Sequence, residues 1–86
     1  MAKQTKDTER QVSFRIHEHI GCLSVNQNGW SRELNVVSWN QGRPRLDIRD
    51  WNPEHDKMSR GIGLNGEETL NLLALMKDAD VQRLGI

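Results

Sequence analysis

Residues 45–51 read R-L-D-I-R-D-W, and this stretch decides the fold. Its apolar and polar side chains alternate, which is the period of a β-strand with two different faces. Leu46 and Ile48 lie on one face, while Arg45, Asp47, Arg49 and Trp51 lie on the other. The pattern therefore predicts a strand of an antiparallel sheet that buries one face and leaves the other open.

Turn signals on both sides of this stretch separate it from further strands. They are short and rich in Asn, Gly and Pro: Asn28-Gly29, Gln41-Gly42 before Pro44, Asn52-Pro53, and Asn65-Gly66. The segments between them predict three more strands, over residues 12–25, 30–39 and 60–64. Asn28-Gly29 is the strongest of the signals, because Asn-Gly favours a tight hairpin turn.

The last segment changes from the period of a strand to that of a helix. Asn65 is a predicted N-cap, with Glu68 three residues later as its capping-box partner. The run 70–76 is apolar at six of its seven positions. A helix that covers only its own sheet needs a narrower apolar stripe, so the run predicts a homodimer. Residues 80–84 are predicted to add a weaker turn or two.

Composition sets further limits on the chain. It has 86 residues, twelve Lys and Arg against twelve Asp and Glu, and one cysteine. This length predicts one domain with a small core, which usually needs a disulfide, a metal or a partner chain. A single cysteine, Cys22, excludes an intramolecular disulfide and fits a cytoplasmic location; we expect its thiol to be buried and inert.

The two ends of the chain differ in character. Residues 1–11 are polar, of mixed charge and without an apolar core, which predicts a disordered leader and not a signal peptide. The folded domain is predicted over residues 12–86. No apolar run approaches the roughly 20 residues that span a bilayer.

Arginine and tryptophan share the predicted open face of the sheet. Arg45, Arg49 and Trp51 lie on one face of the third strand, and Trp39 is expected beside them. Arginine pairs with phosphates and indole rings stack on unpaired bases, so the face favours single-stranded DNA or RNA. Alternatively, Asp47 and its flanking arginines form solvated cross-strand pairs, and the tryptophans fill the core of a small domain.

A second basic pair lies at the start of the predicted fourth strand. Lys57 and Arg60 are followed by Gly61, and a cation beside an open backbone can contact a phosphate. The alternative is an ordinary charged loop with a strand glycine.

Other chemistry finds little support in the sequence. His17 and His19 are expected on one solvated strand face, without a third residue at metal-ligand spacing. No nucleophile motif, phosphate-binding loop or dinucleotide fingerprint is present. We therefore expect neither an enzyme nor a metal, a cofactor or a small-molecule substrate.

Three motifs in this order resemble a known family. They are E-L-N-V-V-S-W-N at 33–40, D-I-R-D-W at 47–51 and K-M-S-R-G-I-G-L-N at 57–65. Together they resemble the bacterial YdbC-type members of the transcriptional positive cofactor four family. The resemblance implies a curved four-stranded antiparallel sheet followed by one helix (β-β-β-β-α, class α+β). It also implies a homodimer that binds single-stranded DNA across its sheets with little sequence specificity.

The same resemblance implies roles for individual residues. Arg49 and Trp51 match a basic and aromatic pair, Trp39 matches an aromatic position, and Arg60-Gly61 matches a basic-glycine step. Ser59 stands where the eukaryotic motif has a second basic residue, and the serine-rich acidic tail is missing.

Neutral overall charge also indicates weaker binding than in basic members. The expected function is single-stranded DNA binding in transcription or DNA maintenance, at the nucleoid. The rival is a protein-interaction module that uses the same tryptophan face.

Overall fold

The structure is a computed structural model that describes residues 12–86; the predicted leader, residues 1–11, lies outside the described residues. Four strands are followed by two helices: β1 Phe14–Val25, β2 Ser31–Trp39, β3 Arg45–Trp51, β4 Ile62–Leu64, α1 Gly66–Lys77 and α2 Val81–Leu84. The strands form one antiparallel sheet in the order β1-β2-β3-β4. The predicted α+β class and the four-stranded antiparallel sheet followed by a helix are confirmed. Residues 81–84 form a separate short helix after the single helix that was predicted.

The sheet is strongly curved. Trp51 lies opposite Ser31 in the β2–β3 ladder, and Trp39 lies eight residues further along β2. In a flat sheet eight residues span about 26 Å at about 3.3 Å each. The ring centroids of Trp39 and Trp51 are nevertheless only 6.4 Å apart. Curvature therefore brings both side chains inward to one concave side.

Strand β1 contains three irregularities that alter which side chains share a face. The register shifts between Ile16 and Glu18, between His19 and Gly21, and between Cys22 and Ser24. His17 bonds Ser38, and His19 bonds Asn35, whose side chains lie on opposite faces. The prediction that His17 and His19 share a face is wrong, because each bulge adds one residue to the alternation.

The β3–β4 connection shortens the predicted fourth strand. Met58 pairs with Trp51 in an isolated bridge. The Ser59 hydroxyl then accepts from the amide of Asp50 at 3.0 Å, where a strand would supply a backbone carbonyl. Regular pairing resumes at Ile62, and not at Arg60 as predicted.

Helix α1 begins as the sequence predicts. The Asn65 side chain accepts from the Glu68 amide at 2.8 Å, and the Glu68 carboxylate accepts from the Asn65 amide at 2.9 Å. These reciprocal bonds satisfy two backbone groups that the first turn leaves unpaired. The predicted capping box is confirmed.

The two faces of the sheet are not buried as predicted. The concave face, expected to be open, holds all but two of the buried residues: Glu33, Asn35, Val37, Asp47 and Trp51. The opposite face is only half-buried, and none of the residues of α1 is buried; Leu75 is 72% exposed. Cys22, expected to be buried, is exposed on the edge strand β1. The apolar helix therefore remains largely uncovered by its own sheet.

Candidate nucleic-acid interface

Four rings converge on the concave side of the sheet, and we call them the aromatic cluster: Phe14, Trp39, Trp51 and His55. The planes of Trp39 and Trp51 are nearly parallel, at 11°. Phe14 contacts both indoles, with centroid distances of 5.8 and 5.1 Å. His55 extends the row, since its centroid lies 5.8 Å from that of Trp51 with 22° between the planes. Aromatic pairs at these separations stabilise the fold, and an unpaired base can stack on an exposed ring of such a row.

Trp51 lies at the centre of this cluster and is completely buried, with 0% of its surface exposed. Its predicted stacking against bases requires an exposed ring face, which Trp51 does not have in this structure. The expectation of an open Trp51 face is corrected because Phe14, Trp39 and His55 surround the indole. The alternative interpretation, that a tryptophan fills the core, describes Trp51, while Trp39 is half-buried.

Arg49 lies over Trp39 and is held by three partners. Its guanidinium pairs with the Asp47 carboxylate through two hydrogen bonds of 2.7 Å each. It also donates to the Ser59 carbonyl at 3.4 Å, and its Cζ lies 4.3 Å from the Trp39 ring centroid. Asp47 is completely buried, so its charge needs this partner. The alternative of an Asp47–arginine pair is therefore correct for Arg49 in its partners, but the pair lies within strand β3 and is buried, and not cross-strand and solvated.

Gly61 makes room for the Arg49 side chain. A Cβ at Gly61 would lie 2.4 Å from the Arg49 Cβ, 2.4 Å from the Ile48 carbonyl oxygen and 2.9 Å from the Arg49 Nε. No ordinary side chain fits at this distance. The close approach predicted at Gly61 is therefore to Arg49 of the neighbouring strand.

Three cations on β3 and on the β3–β4 connection are exposed. Arg45, Lys57 and Arg60 are exposed, and no carboxylate within residues 12–86 forms an ion pair with any of them. Arg45 lies on the concave face, since it follows the parity of Asp47 and Trp51. We call Arg45, Lys57 and Arg60 the basic rim. A cation without a protein partner can pair with a phosphate at little cost in desolvation.

The loop between Trp51 and Lys57 is wound tightly around one side chain. The Asn52 Oδ1 accepts from the amides of Asp56 and Lys57, both at 3.0 Å. Its Nδ2 donates to the Asp56 carboxylate at 2.6 Å. His55, at φ +60°, adopts the left-handed conformation that few side chains tolerate. The loop thereby places the His55 ring against Trp51.

The buried carboxylate of Glu33 lies under this loop and was not predicted from the sequence. Glu33 accepts from His55 Nε2 at 2.9 Å and from Asn35 Nδ2 at 3.2 Å, and His19 Nδ1 lies 3.5 Å away. Burial raises the pKa of Glu33, but hydrogen bonds from Ser31, Asn35 and His55 outweigh it and hold that pKa below its usual value. Glu33 and Asn35 have the same parity as Trp39 on β2. This shared parity could have predicted that the Glu33 carboxylate lies on the same face as the aromatic cluster.

No group of three or more His, Cys, Asp or Glu side chains within the described part of the chain is arranged to hold a metal ion. No helix among residues 12–86 has the length and apolar character needed to cross a membrane.

The fold and this face define a class: a small sheet-and-helix domain with aromatic and basic side chains on a concave surface. The chain belongs to the transcriptional coactivator p15 (PC4) family, whose model matches residues 26–75. The family is associated with single-stranded DNA binding and transcription coactivation, and it is non-catalytic. The chain is also 42% identical over 64 residues to an uncharacterized protein of Treponema pallidum (strain Nichols). The aligned residues make up 73% of this chain and 74% of that protein.

Proposed function

We propose that this protein is a homodimer that binds single-stranded DNA with little sequence specificity, in the cytoplasm at the nucleoid, during transcription or DNA maintenance. The observation that carries the proposal is the indole–guanidinium pair of Trp39 and Arg49 on the concave face, together with exposed cations on β3 and on the β3–β4 connection. Membership of the p15 (PC4) family supports the same conclusion.

The contacts proposed for phosphates are those of the basic rim. Arg45, Lys57 and Arg60 are exposed, and they lie on strand β3 and on the β3–β4 connection, which also carry Arg49, Trp51 and His55; a strand that crosses this face is proposed to contact both sets. Each phosphate pair would release counterions and make the affinity depend on salt. Arg49 belongs to the site as a platform, because its guanidinium already pairs with Asp47.

The contacts proposed for bases are Trp39 and the guanidinium that covers it. Bases stack on aromatic rings and on arginine planes without regard to their identity, which explains low sequence specificity. Stacking needs unpaired bases, so a duplex is excluded from this mode. RNA carries the same bases and phosphates, and it is therefore tested beside DNA.

The homodimer is proposed from the uncovered apolar surface of helix α1. Leu70, Leu73, Leu75 and Met76 are each more than half exposed. An isolated 86-residue chain rarely leaves so much of a helix in water. A second copy, which presents an identical helix, would bury this surface and place two concave faces in one particle.

Titration of labelled oligo-dT, oligo-U and duplex DNA at several salt concentrations tests the proposal. We expect oligo-dT to bind about tenfold more tightly than duplex of the same length, and log K to fall linearly with log salt. Lys57→Ala should flatten that slope by about 0.7 per lost contact.

Lys77→Ala is the matched control, because Lys77 lies in the last turn of α1 and the substitution removes the same charge. If both variants behave alike, the basic rim does not contact phosphate. Equal affinity for duplex and single strand would contradict base stacking. Absence of any nucleic-acid binding would favour the rival function, a protein-interaction module.

A further inference from the structure

We propose that His55 is a second nucleic-acid contact on the concave face, and that it acts as an imidazolium held by the buried Glu33. The inference rests on the proposed function, which did not include His55. It adds a pH-dependent contact to a surface otherwise built from arginine, lysine and indole.

Both ring nitrogens of His55 lie within hydrogen-bond distance of an oxygen atom. Its Nε2 lies 2.9 Å from the Glu33 carboxylate and its Nδ1 lies 3.2 Å from the Pro53 carbonyl oxygen. Both partners are acceptors, so each nitrogen must carry a hydrogen to satisfy its bond. Neutral imidazole has one N–H, and only the imidazolium has two.

The surroundings of His55 leave part of the ring accessible. One face lies against Trp51 and both nitrogens are occupied, yet 39% of the side chain is exposed. The exposed part of the side chain is therefore accessible to a ligand. A base that stacks there would continue the row formed by Trp39 and Trp51, and a phosphate would meet a positive charge.

The backbone at His55 indicates that this placement is imposed by the loop. A residue at φ +60° is held there against a conformational cost, and such positions concentrate at binding sites. Asn52 maintains the loop through its bonds to the amides of Asp56 and Lys57. The ring is therefore presented before nucleic acid arrives.

The charged groups around His55 determine the sign of the pH dependence. Glu33 lies beneath it on β2, and His19 of β1 approaches the same carboxylate. Glu54 and Asp56 flank it in the loop, and both carboxylates accept from Asn52. When His55 loses its proton, this set becomes one unit more negative and repels phosphate. Affinity must therefore fall as pH rises.

The primary test is the affinity for oligo-dT at constant ionic strength from about pH 5.5 to about pH 8.5. We expect a loss of about fivefold across the histidine titration range. In His55→Asn this dependence should shrink, and affinity at the acidic end should fall about fivefold or more. Asparagine tolerates positive φ, so the loop should keep its shape.

The matched control is His17→Asn, because His17 bonds Ser38 on the opposite face of the sheet. It should retain the affinity and the pH profile of the unsubstituted protein. Circular dichroism checks that each variant is folded.

A measurement without substitutions supports the same test. The His55 Cε1–H resonance is followed by NMR against pH, with and without oligo-dT; binding should shift the titration to higher pH. An unchanged titration, or a His55→Asn variant that binds and titrates like the original protein, overturns the inference. In either case oligo-dT binding itself persists, whereas failure of the proposed function would abolish binding at every pH.

Discussion

Replacing Trp51 by phenylalanine separates its role in the core from a role in binding. Trp51 is completely buried, and its Nε1 has no hydrogen-bond acceptor among the described residues. An unsatisfied buried N–H costs about 1–3 kcal/mol, which Trp51→Phe would recover. The smaller ring leaves a cavity of ~40 Å³, which costs about 1 kcal/mol at about 24 cal/mol per Å³, in addition to the lost apolar transfer energy. These effects oppose each other, so the free energy of unfolding should change by no more than about 2 kcal/mol.

Alanine at the same position would not give a clear answer. Trp→Ala in a core costs about 3–5 kcal/mol. A domain of this size has about 4–11 kcal/mol of stability in total. A binding defect of Trp51→Ala would therefore be confounded with unfolding.

The matched substitution is Trp39→Leu, which keeps apolar contact with Trp51 but removes the aromatic faces. Loss of one stacked base costs about 1–3 kcal/mol, so oligo-dT affinity should fall about 5- to 150-fold. Urea denaturation followed by circular dichroism measures the stability of both variants. Fluorescence anisotropy of labelled oligo-dT then measures their affinity.

The two variants are expected to differ in binding far more than in stability. Trp51→Phe should bind oligo-dT within about twofold of the original protein. If folded Trp51→Phe loses as much affinity as Trp39→Leu, then Trp51 contacts bases and the cluster opens on binding. If Trp39→Leu binds normally, stacking on Trp39 is refuted.

Three further changes test the helix, the close approach of strands β3 and β4, and the buried carboxylate. Leu73→Asp should convert the proposed dimer to a monomer in sedimentation. Asn71→Asp adds the same charge to α1 and should leave the dimer intact. A dimer that survives Leu73→Asp contradicts the helix interface. Gly61→Ala should cost about 1–3 kcal/mol in urea unfolding, because its Cβ would lie 2.4 Å from β3 atoms, whereas Gly66→Ala meets nothing within 4 Å; equal stabilities would contradict the contact. The pKa of Glu33 is lowered in the folded protein, so its stabilising contribution is present at neutral pH and is lost as pH falls below the ordinary value of 4.5. On acidification the urea midpoint of Glu33→Gln should therefore fall less than that of the original protein. Parallel falls of the two midpoints would exclude this role of Glu33.

Local sequence signals determined the elements of this fold. The alternation in 45–51 set the bounds of β3 without error, and Asn65 with Glu68 set the start of α1. These features depend on neighbours within a few residues, so a sequence pattern contains them. The apolar run 70–76 likewise predicted a helix that its own sheet does not cover, and the structure leaves it exposed.

Exposure of the site could not be read from the same pattern. Period-two alternation places Trp39, Arg49 and Trp51 on one face, but it does not say whether that face is open or closed. Curvature buries Trp51 on this face and leaves Trp39 half-buried, because Trp39 and Trp51 meet across eight residues of the ladder. A bulge between Ile16 and Glu18 likewise put His19 on the face opposite to His17. No local sequence pattern indicates where such an extra residue enters a strand.

The sequence by itself determined the order of the elements along the chain, the helix cap and the grouping of arginine with tryptophan, because each depends on spacing along the chain. Only the tertiary structure decided that Trp51 is buried, that Arg49 is held by Asp47, and that His55 rests on Glu33. These contacts depend on the curvature of the sheet and on the fold of the 52–57 loop. The alternation within a single strand does not tell which side chains of other elements come near it in space.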